Sequence, residues 1–173
     1  MRRIAFAALM ALPLAVAATP AAAQTAAPFT GARIGATLGY DHVNDKGGFT
    51  YGGAFGYDAA IAPKITLGGE ATFEDSTGKG EYDAVHASRD VAISGRIGYV
   101  LTPKILGFAK VGYDTTRFES AGAHTNLEGV RYGGGLEYAV TPHTYVSAEY
   151  RRTDYEDGIG SRNAAIAGFG YRF

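Results

Sequence analysis

An alternation of charge-free and polar positions along eight segments is the feature that most limits how this chain can fold. In each segment every second residue is uncharged and usually apolar, as on a β-strand with one apolar face. These 42 positions carry no charge, although 19% of the chain is charged and about eight charges would be expected there without a pattern. The segments span 32–40, 49–61, 65–73, 91–101, 105–113, 130–140, 146–150 and 165–173.

Three prolines join these segments in pairs. Pro63, Pro103 and Pro142 lie 40 and 39 residues apart, each after a similar tyrosine-containing stretch. Because proline cannot donate a hydrogen bond to a β-ladder, each marks a tight connection between two strands. Three short turns alternating with four longer loops predict an all-β fold, an eight-stranded antiparallel up-and-down barrel. The four loops are expected at 41–48, 75–89, 115–129 and 154–162.

The apolar face of this sheet is predicted to point outward, toward lipid. Its aromatic residues fall near both strand ends, which is typical of the interfacial girdles of a membrane barrel. The opposite face is rich in small residues, which suit the narrow interior of eight strands. A soluble barrel with its apolar face inward, as in lipocalins, is the alternative. The expected girdle residues are Tyr40, Tyr51, Phe73, Tyr113, Tyr132 and Tyr150 at the loop side, and Tyr57, Tyr99, Tyr138, Tyr171 and Phe173 at the turn side.

Residues 1–23 predict a cleaved secretory signal peptide. A basic start is followed by an apolar run and by Ala21-Ala22-Ala23, a small-residue cleavage signature. Roughly 15 apolar residues broken by Pro13 are too few for a spanning helix, which needs about 20. Cleavage leaves residues 24–173 as one domain with 14 basic and 17 acidic residues. This balance gives no support for nucleic-acid binding, and the lack of cysteine excludes a lipoprotein anchor and a disulfide framework.

The end of the chain carries a family resemblance. Gly168-x-x-Tyr171-x-Phe173 resembles the carboxy-terminal insertion signal of bacterial outer-membrane β-barrels, and Ala148-Glu149-Tyr150-Arg151 resembles a penultimate-strand motif of the same group. With the proline turns, these motifs resemble the small OmpA-like, opacity and surface-antigen barrels often labelled the porin family.

This resemblance implies an integral protein of the Gram-negative outer membrane, in contact with outer-membrane lipid and lipopolysaccharide. It implies insertion by the barrel-assembly machinery through the last strand, and loops that are available to a host or extracellular ligand. Envelope integrity, adhesion and slow solute passage all remain open. The sequence shows no peptidoglycan-binding domain after Phe173, so a cell-wall anchor is not expected.

Four charged residues of the inward face each lie seven residues from a turn proline. If the turns share a level, these side chains lie near one height and must pair, because isolated charges there are costly. Glu70 and Arg96 are the nearest expected pair. The four residues are Glu70, Arg96, Lys110 and Glu149, with Arg33, Arg131, Glu137, Arg151 and Arg172 as partners above and below, and Leu106, Phe108 and Tyr145 narrowing the turn side.

Two functions fit such a charged interior. The charges can form an ion-pair plug that fixes the barrel and blocks flow, or a gate across a small charge-lined pore. Because eight strands enclose little more than their own side chains, the plug is favoured.

An enzyme acting on lipid acyl chains is a third alternative, and catalysis is not expected. A nucleophile needs a base within hydrogen-bond reach, and the inward Ser147 has no histidine at its level. The acidic loop residues, as in 81–83 and 154–157, match no calcium-loop spacing, so neither a metal nor another cofactor is expected. The four histidines fall in predicted loops or a turn: His42, His86, His124 and His143.

Overall fold

Eight antiparallel strands close into a barrel in chain order, with β8 paired to β1. This computed structural model describes residues 28–43, 46–77, 89–120, 123–155 and 161–173, and it confirms the predicted fold class. The described residues contain no helix with the length and apolarity needed to cross a bilayer. The strands are β1 (Gly31–Val43), β2 (Lys46–Ala62), β3 (Ile65–Ser76), β4 (Arg89–Thr102), β5 (Ile105–Ser120), β6 (Ala123–Ala139), β7 (Thr144–Tyr155) and β8 (Ser161–Arg172).

The three proline turns lie together at one end of the barrel, which we call the turn end. They connect β2 to β3, β4 to β5 and β6 to β7, as their sequences predict. The turns share one arrangement, because the basic residue after each proline accepts a backbone hydrogen bond from the strand beyond the hairpin. These bonds join Val100 N to Lys64 O at 2.8 Å, Ala139 N to Lys104 O at 2.9 Å, and Arg172 N to His143 O at 2.7 Å.

At the opposite end, the loop end, the strands continue further than the sequence predicts. β1 and β2 pair as far as Val43 and Lys46, and β5 and β6 pair as far as Ser120 and Ala123. Much of the expected loops at 41–48 and 115–129 is therefore hairpin. Polar and charged residues are as compatible with a strand that faces a polar interior as with a loop.

Side chains alternate strictly between the outer wall and the interior. The aromatic residues predicted to form girdles all point outward, with exposures from 42% at Tyr132 to 72% at Phe173. The buried residues are instead mostly polar or charged. This is the reverse of a soluble barrel and is the distribution that an outer wall in lipid requires.

A small apolar cluster closes the turn end. Phe29, just before β1, is fully buried against Val100, Leu106 and Ala139. Its carbonyl oxygen accepts a hydrogen bond from Arg172 Nη1 at 3.1 Å. The sequence pattern gave Phe29 no role, because it precedes the first alternating segment.

Candidate functional site inside the barrel

The interior is filled by ion pairs that form three connected groups. The side chains come from inward positions of the strands, where an unpaired charge would be strongly destabilising. From the turn end upward, the groups are the turn-end cluster (Arg33, Asp58, Arg96, Glu137 and Arg172), the middle bridge (Glu70, Lys110 and Glu149) and the loop-end cluster (Asp41, Glu74, Asp90, Asp114, Arg131, Arg151 and Arg162).

The turn-end cluster is organised around Asp58. Its Oδ2 atom accepts hydrogen bonds from Arg33 Nε at 2.9 Å, Arg96 Nη1 at 2.8 Å and Arg172 Nη1 at 3.0 Å. Glu137 binds two of the same arginines, Arg96 at 2.7 Å and Arg172 at 2.9 Å. Charge-assisted bonds of this kind are stronger than neutral ones and fix planar guanidinium groups in place.

The middle bridge places one lysine between two glutamates. Lys110 Nζ lies 2.6 Å from Glu70 Oε1 and 2.5 Å from Glu149 Oε2. Glu70 Oε2 also accepts a hydrogen bond from Arg33 Nη1 at 2.5 Å, which connects the bridge to the turn-end cluster. The structure thus brings together three of the four residues expected at one height.

Arg96 pairs differently from the expectation. The strand register places it opposite Gly68, two residues nearer the turn end than Glu70. It therefore binds Asp58 and Glu137, and Glu70 binds arginine and lysine partners from β1 and β5. Counting residues from the prolines ignores the offset between neighbouring strands in a barrel.

Inward glycines allow charged side chains to reach across an intervening strand. In the register, Gly56 lies between Arg33 and Glu70, which bind each other over it. A Cβ atom on Gly56 would lie 2.9 Å from Arg33 Nη2 and 2.7 Å from a backbone carbonyl. Gly68 separates Asp58 from Arg96 in the same way.

The loop-end cluster contains more carboxylates than cations. Arg131 Nη2 contacts both Asp90 Oδ2, at 2.5 Å, and Asp114 Oδ2. Arg162 contacts Asp90 Oδ2 at 2.9 Å and also Asp41. Glu74 pairs with Arg151. The inward parity of the sequence predicts Arg131 and Arg151 as interior residues, and both lie in this cluster.

Several charged residues of the interior are not predicted by the alternating sequence pattern. Asp41, Asp90 and Arg162 stood in or beside predicted loops, and Asp58 stood in a repeated stretch before a turn proline. Continuing the inward parity of each strand by a few residues would have found them.

Two small cavities lie on either side of the middle bridge. The larger, of 30 Å³, borders Arg33 and Arg96, and the smaller, of 10 Å³, borders Arg131. Glu70, Lys110 and Glu149 line both. Since a water molecule needs about 10–15 Å³ of such space, the larger cavity has room for about two waters and the smaller for at most one.

The sequence matches the profile of the outer membrane protein beta-barrel domain over residues 5–173. The chain belongs to this family. It is an integral protein of the bacterial outer membrane, as the outward apolar face requires. In such barrels short turns face the periplasm and longer loops face outside, so the turn end is periplasmic and the loop end extracellular.

Solved structures share the fold at low sequence identity. Ail, the attachment invasion locus protein of Yersinia pestis, is 16% identical with a TM-score of 0.56, over 83% of this chain and 97% of Ail. The N-terminal β-barrel domain of Pseudomonas aeruginosa OprF is 15% identical with a TM-score of 0.58, over 82% and 97%. The outer membrane enzyme PagL is 14% identical with a TM-score of 0.54, over 82% and 99%. No protein with a curated description matches the sequence.

The described histidines and acidic residues do not form the geometry of a metal site. Among the residues the structure describes, no three His, Asp or Glu side chains are placed to hold a metal ion. Ser147 and Glu149 line the larger cavity, and no histidine does. His143 lies at the turn end, where its Nδ1 is 3.1 Å from Arg172 O. His86 lies outside the described residues.

Proposed function

We propose that this protein is a surface barrel with a closed interior, whose function is to bind a ligand at the loop end. In this proposal residues 1–23 direct export and are removed. The barrel-assembly machinery then inserts the chain through the strand ending in Gly168, Tyr171 and Phe173, and the outer wall contacts lipid and lipopolysaccharide.

The hairpin of β5 and β6 is the observation that carries this proposal. β5 and β6 pair as far as Ser120 and Ala123. The described part of β7 ends at Tyr155, opposite Gly129, and residues 123–128 of β6 continue as the outer part of the hairpin with β5. A hairpin strand at the rim of a barrel can bind an extended peptide along its edge through backbone hydrogen bonds. The expected ligand is an extended segment of an extracellular or host protein.

The charge of the loop end disfavours a polyanionic ligand. The four ranges predicted as loops, 41–48, 75–89, 115–129 and 154–162, contain ten acidic and five basic residues, and Glu128 is exposed beside this hairpin. Ail has been solved with the heparin analogue sucrose octasulfate. Because like charges repel, we expect this chain not to bind that compound.

A deletion tests the binding function. Residues 24–173 and a variant lacking residues 117–126 would be immobilised, and a library of random extended peptides would be selected on each. We expect peptides to be retained by the full hairpin and lost with the deletion. Equal retention by both proteins would reject the hairpin as the binding element.

A measurement of ion flow tests the closed interior separately. Residues 24–173 refolded into a planar lipid bilayer should insert without steady current, because the two cavities together have room for only about three waters. A Glu149→Gln variant serves as the comparison. A steady current in the unmodified protein would reject the plug.

A small pore gated at Lys110 is the second candidate function. It is favoured by the two cavities, because Lys110 and its two glutamate partners line both of them. A swing of the flexible Lys110 side chain would join them. In this case Glu149→Gln, which removes one partner of Lys110, should raise the frequency of current steps.

An enzyme has less support than either function. PagL is an enzyme with this fold, but likeness at 14% identity extends to the fold alone. A serine nucleophile needs a base that takes its proton, and the cavity that contains Ser147 has no histidine in its lining. We therefore propose a non-catalytic role without cofactor.

A further inference from the structure

The three periplasmic turns place a basic residue and a tyrosine together in the same way. The residue that follows the basic one is paired directly with an outward tyrosine of the next strand. The pairs are Ile65 with Tyr99, Ile105 with Tyr138, and Thr144 with Tyr171. The equivalent backbone bonds made by Lys64, Lys104 and His143 show that this geometry repeats at each turn.

Two of the three basic side chains are free to bind a ligand. Lys64 and Lys104 are exposed, and neither forms an ion pair with another residue that the structure describes. This contrasts with the interior cations, which all have carboxylate partners. None of residues 61–66, 101–106 and 139–144 is acidic, so nothing in the turns neutralises the lysines.

The position of these turns identifies the ligand. They lie just beyond the outward Tyr99 and Tyr138, that is, at the level of the lipid headgroups of the inner leaflet. A lysine there is attracted to anionic headgroups, and a tyrosine hydroxyl can donate to a phosphate oxygen.

We propose that the turns of Lys64 and Lys104 each bind the headgroup of an anionic phospholipid of the inner leaflet, such as phosphatidylglycerol. The lysine ammonium and the hydroxyl of the neighbouring tyrosine are the recognising groups. The third turn binds more weakly, because the His143 ring is already engaged. It stacks on the Tyr171 ring, with 5.7 Å between the ring centroids, and its Nδ1 contacts the carbonyl oxygen of Arg172.

Lipid titration tests this proposal. Residues 24–173 in a neutral detergent would be titrated with dioleoyl phosphatidylglycerol, with dioleoyl phosphatidylcholine as the zwitterionic reference, and bound lipids counted by native mass spectrometry. We expect the preference for phosphatidylglycerol to fall roughly fivefold at each turn in Lys64→Gln and Lys104→Gln. Tyr99→Phe should cause a smaller loss, roughly threefold, at the Lys64 turn.

Arg152→Gln is the matched control. Arg152 also points outward beside a tyrosine, and its substitution removes one positive charge. Unlike the two lysines, it lies at the loop end and is paired with Asp154, with 2.8 Å between Nε and Oδ1. It should leave the lipid preference unchanged. An unchanged preference in the Lys64→Gln, Lys104→Gln double variant would overturn the proposal, as would an equal loss in the control.

Discussion

The two ends of the barrel interior differ in how their buried charges are paired and covered. At the turn end three arginines share two carboxylates, and Phe29 with its apolar neighbours covers them. At the loop end four carboxylates surround three arginines, and no apolar cluster covers them within the described residues. The turn end is thus a geometrically fixed ion-pair network under an apolar cover, whereas the loop end holds an excess of negative charge without such a cover.

The strongest way to break this comparison is to remove the centre of the turn-end cluster. Asp58→Asn would leave three buried guanidinium groups without the negative charge that they share. Losing one partner of a buried ion pair typically costs about 3–5 kcal/mol. Urea unfolding in lipid vesicles should show this loss in the free energy of unfolding. A loss below about 1 kcal/mol would mean that water readily reaches this end.

Phe29→Ala tests whether the apolar cluster at the turn end stabilises the barrel. The substitution removes a fully buried ring and leaves a cavity, so we expect a loss of about 2–4 kcal/mol in the same assay. Phe29→Leu keeps an apolar side chain and should restore most of the stability. Equal unfolding free energies for the alanine variant and the parent would show that the segment before β1 does not close the barrel.

Asp114→Asn probes the loop end with a matched loss of one carboxylate. Because Arg131 Nη2 keeps Asp90 as a partner and one repulsive neighbour is removed, the free energy of unfolding should change by less than about 1 kcal/mol. A loss as large as that of Asp58→Asn would erase the distinction between the two clusters.

The smallest effect is expected on the outer rim of the loop end. Arg152 and Asp154 form an ion pair with nearly half of each side chain exposed, and solvent screens such pairs. Arg152→Gln should leave the urea midpoint unchanged within error. A clear shift would indicate that the rim, and not only the interior, stabilises the barrel.

The fold was predictable because a strand has a period of two and a membrane barrel has one apolar face. The outward register of residues such as Ile93 and Tyr150, and the meeting of Glu70, Lys110 and Glu149, follow from this parity and from the turn prolines. The level of Arg96 does not follow. It depends on the offset between β3 and β4, and bulges beside Ala60 and Val100 add to the miscount of heights from the prolines.

The ends of the strands were also beyond the sequence pattern. Where a strand leaves the membrane, its residues no longer alternate between lipid and interior, so the periodic signal fades although the hydrogen-bond ladder continues. Asp41 and Arg162 therefore fall within predicted loops, and Asp90 falls just after one. Phe29 could not be assigned either, because its burial depends on the width of the barrel mouth.

The network around Asp58 also constrains the order in which the barrel assembles. Its arginines come from β1, β4 and β8, and Glu137 comes from β6, so no sheet of consecutive strands satisfies it before β8 meets β1. In an open intermediate Arg172 would keep Glu137 but lack Asp58, and the charged inward face would be open to hydrocarbon, which is destabilising. Insertion and closure of this barrel should therefore occur as one concerted step, in which β8 brings Arg172 to Asp58 of β2 and Arg162 to Asp41 of β1.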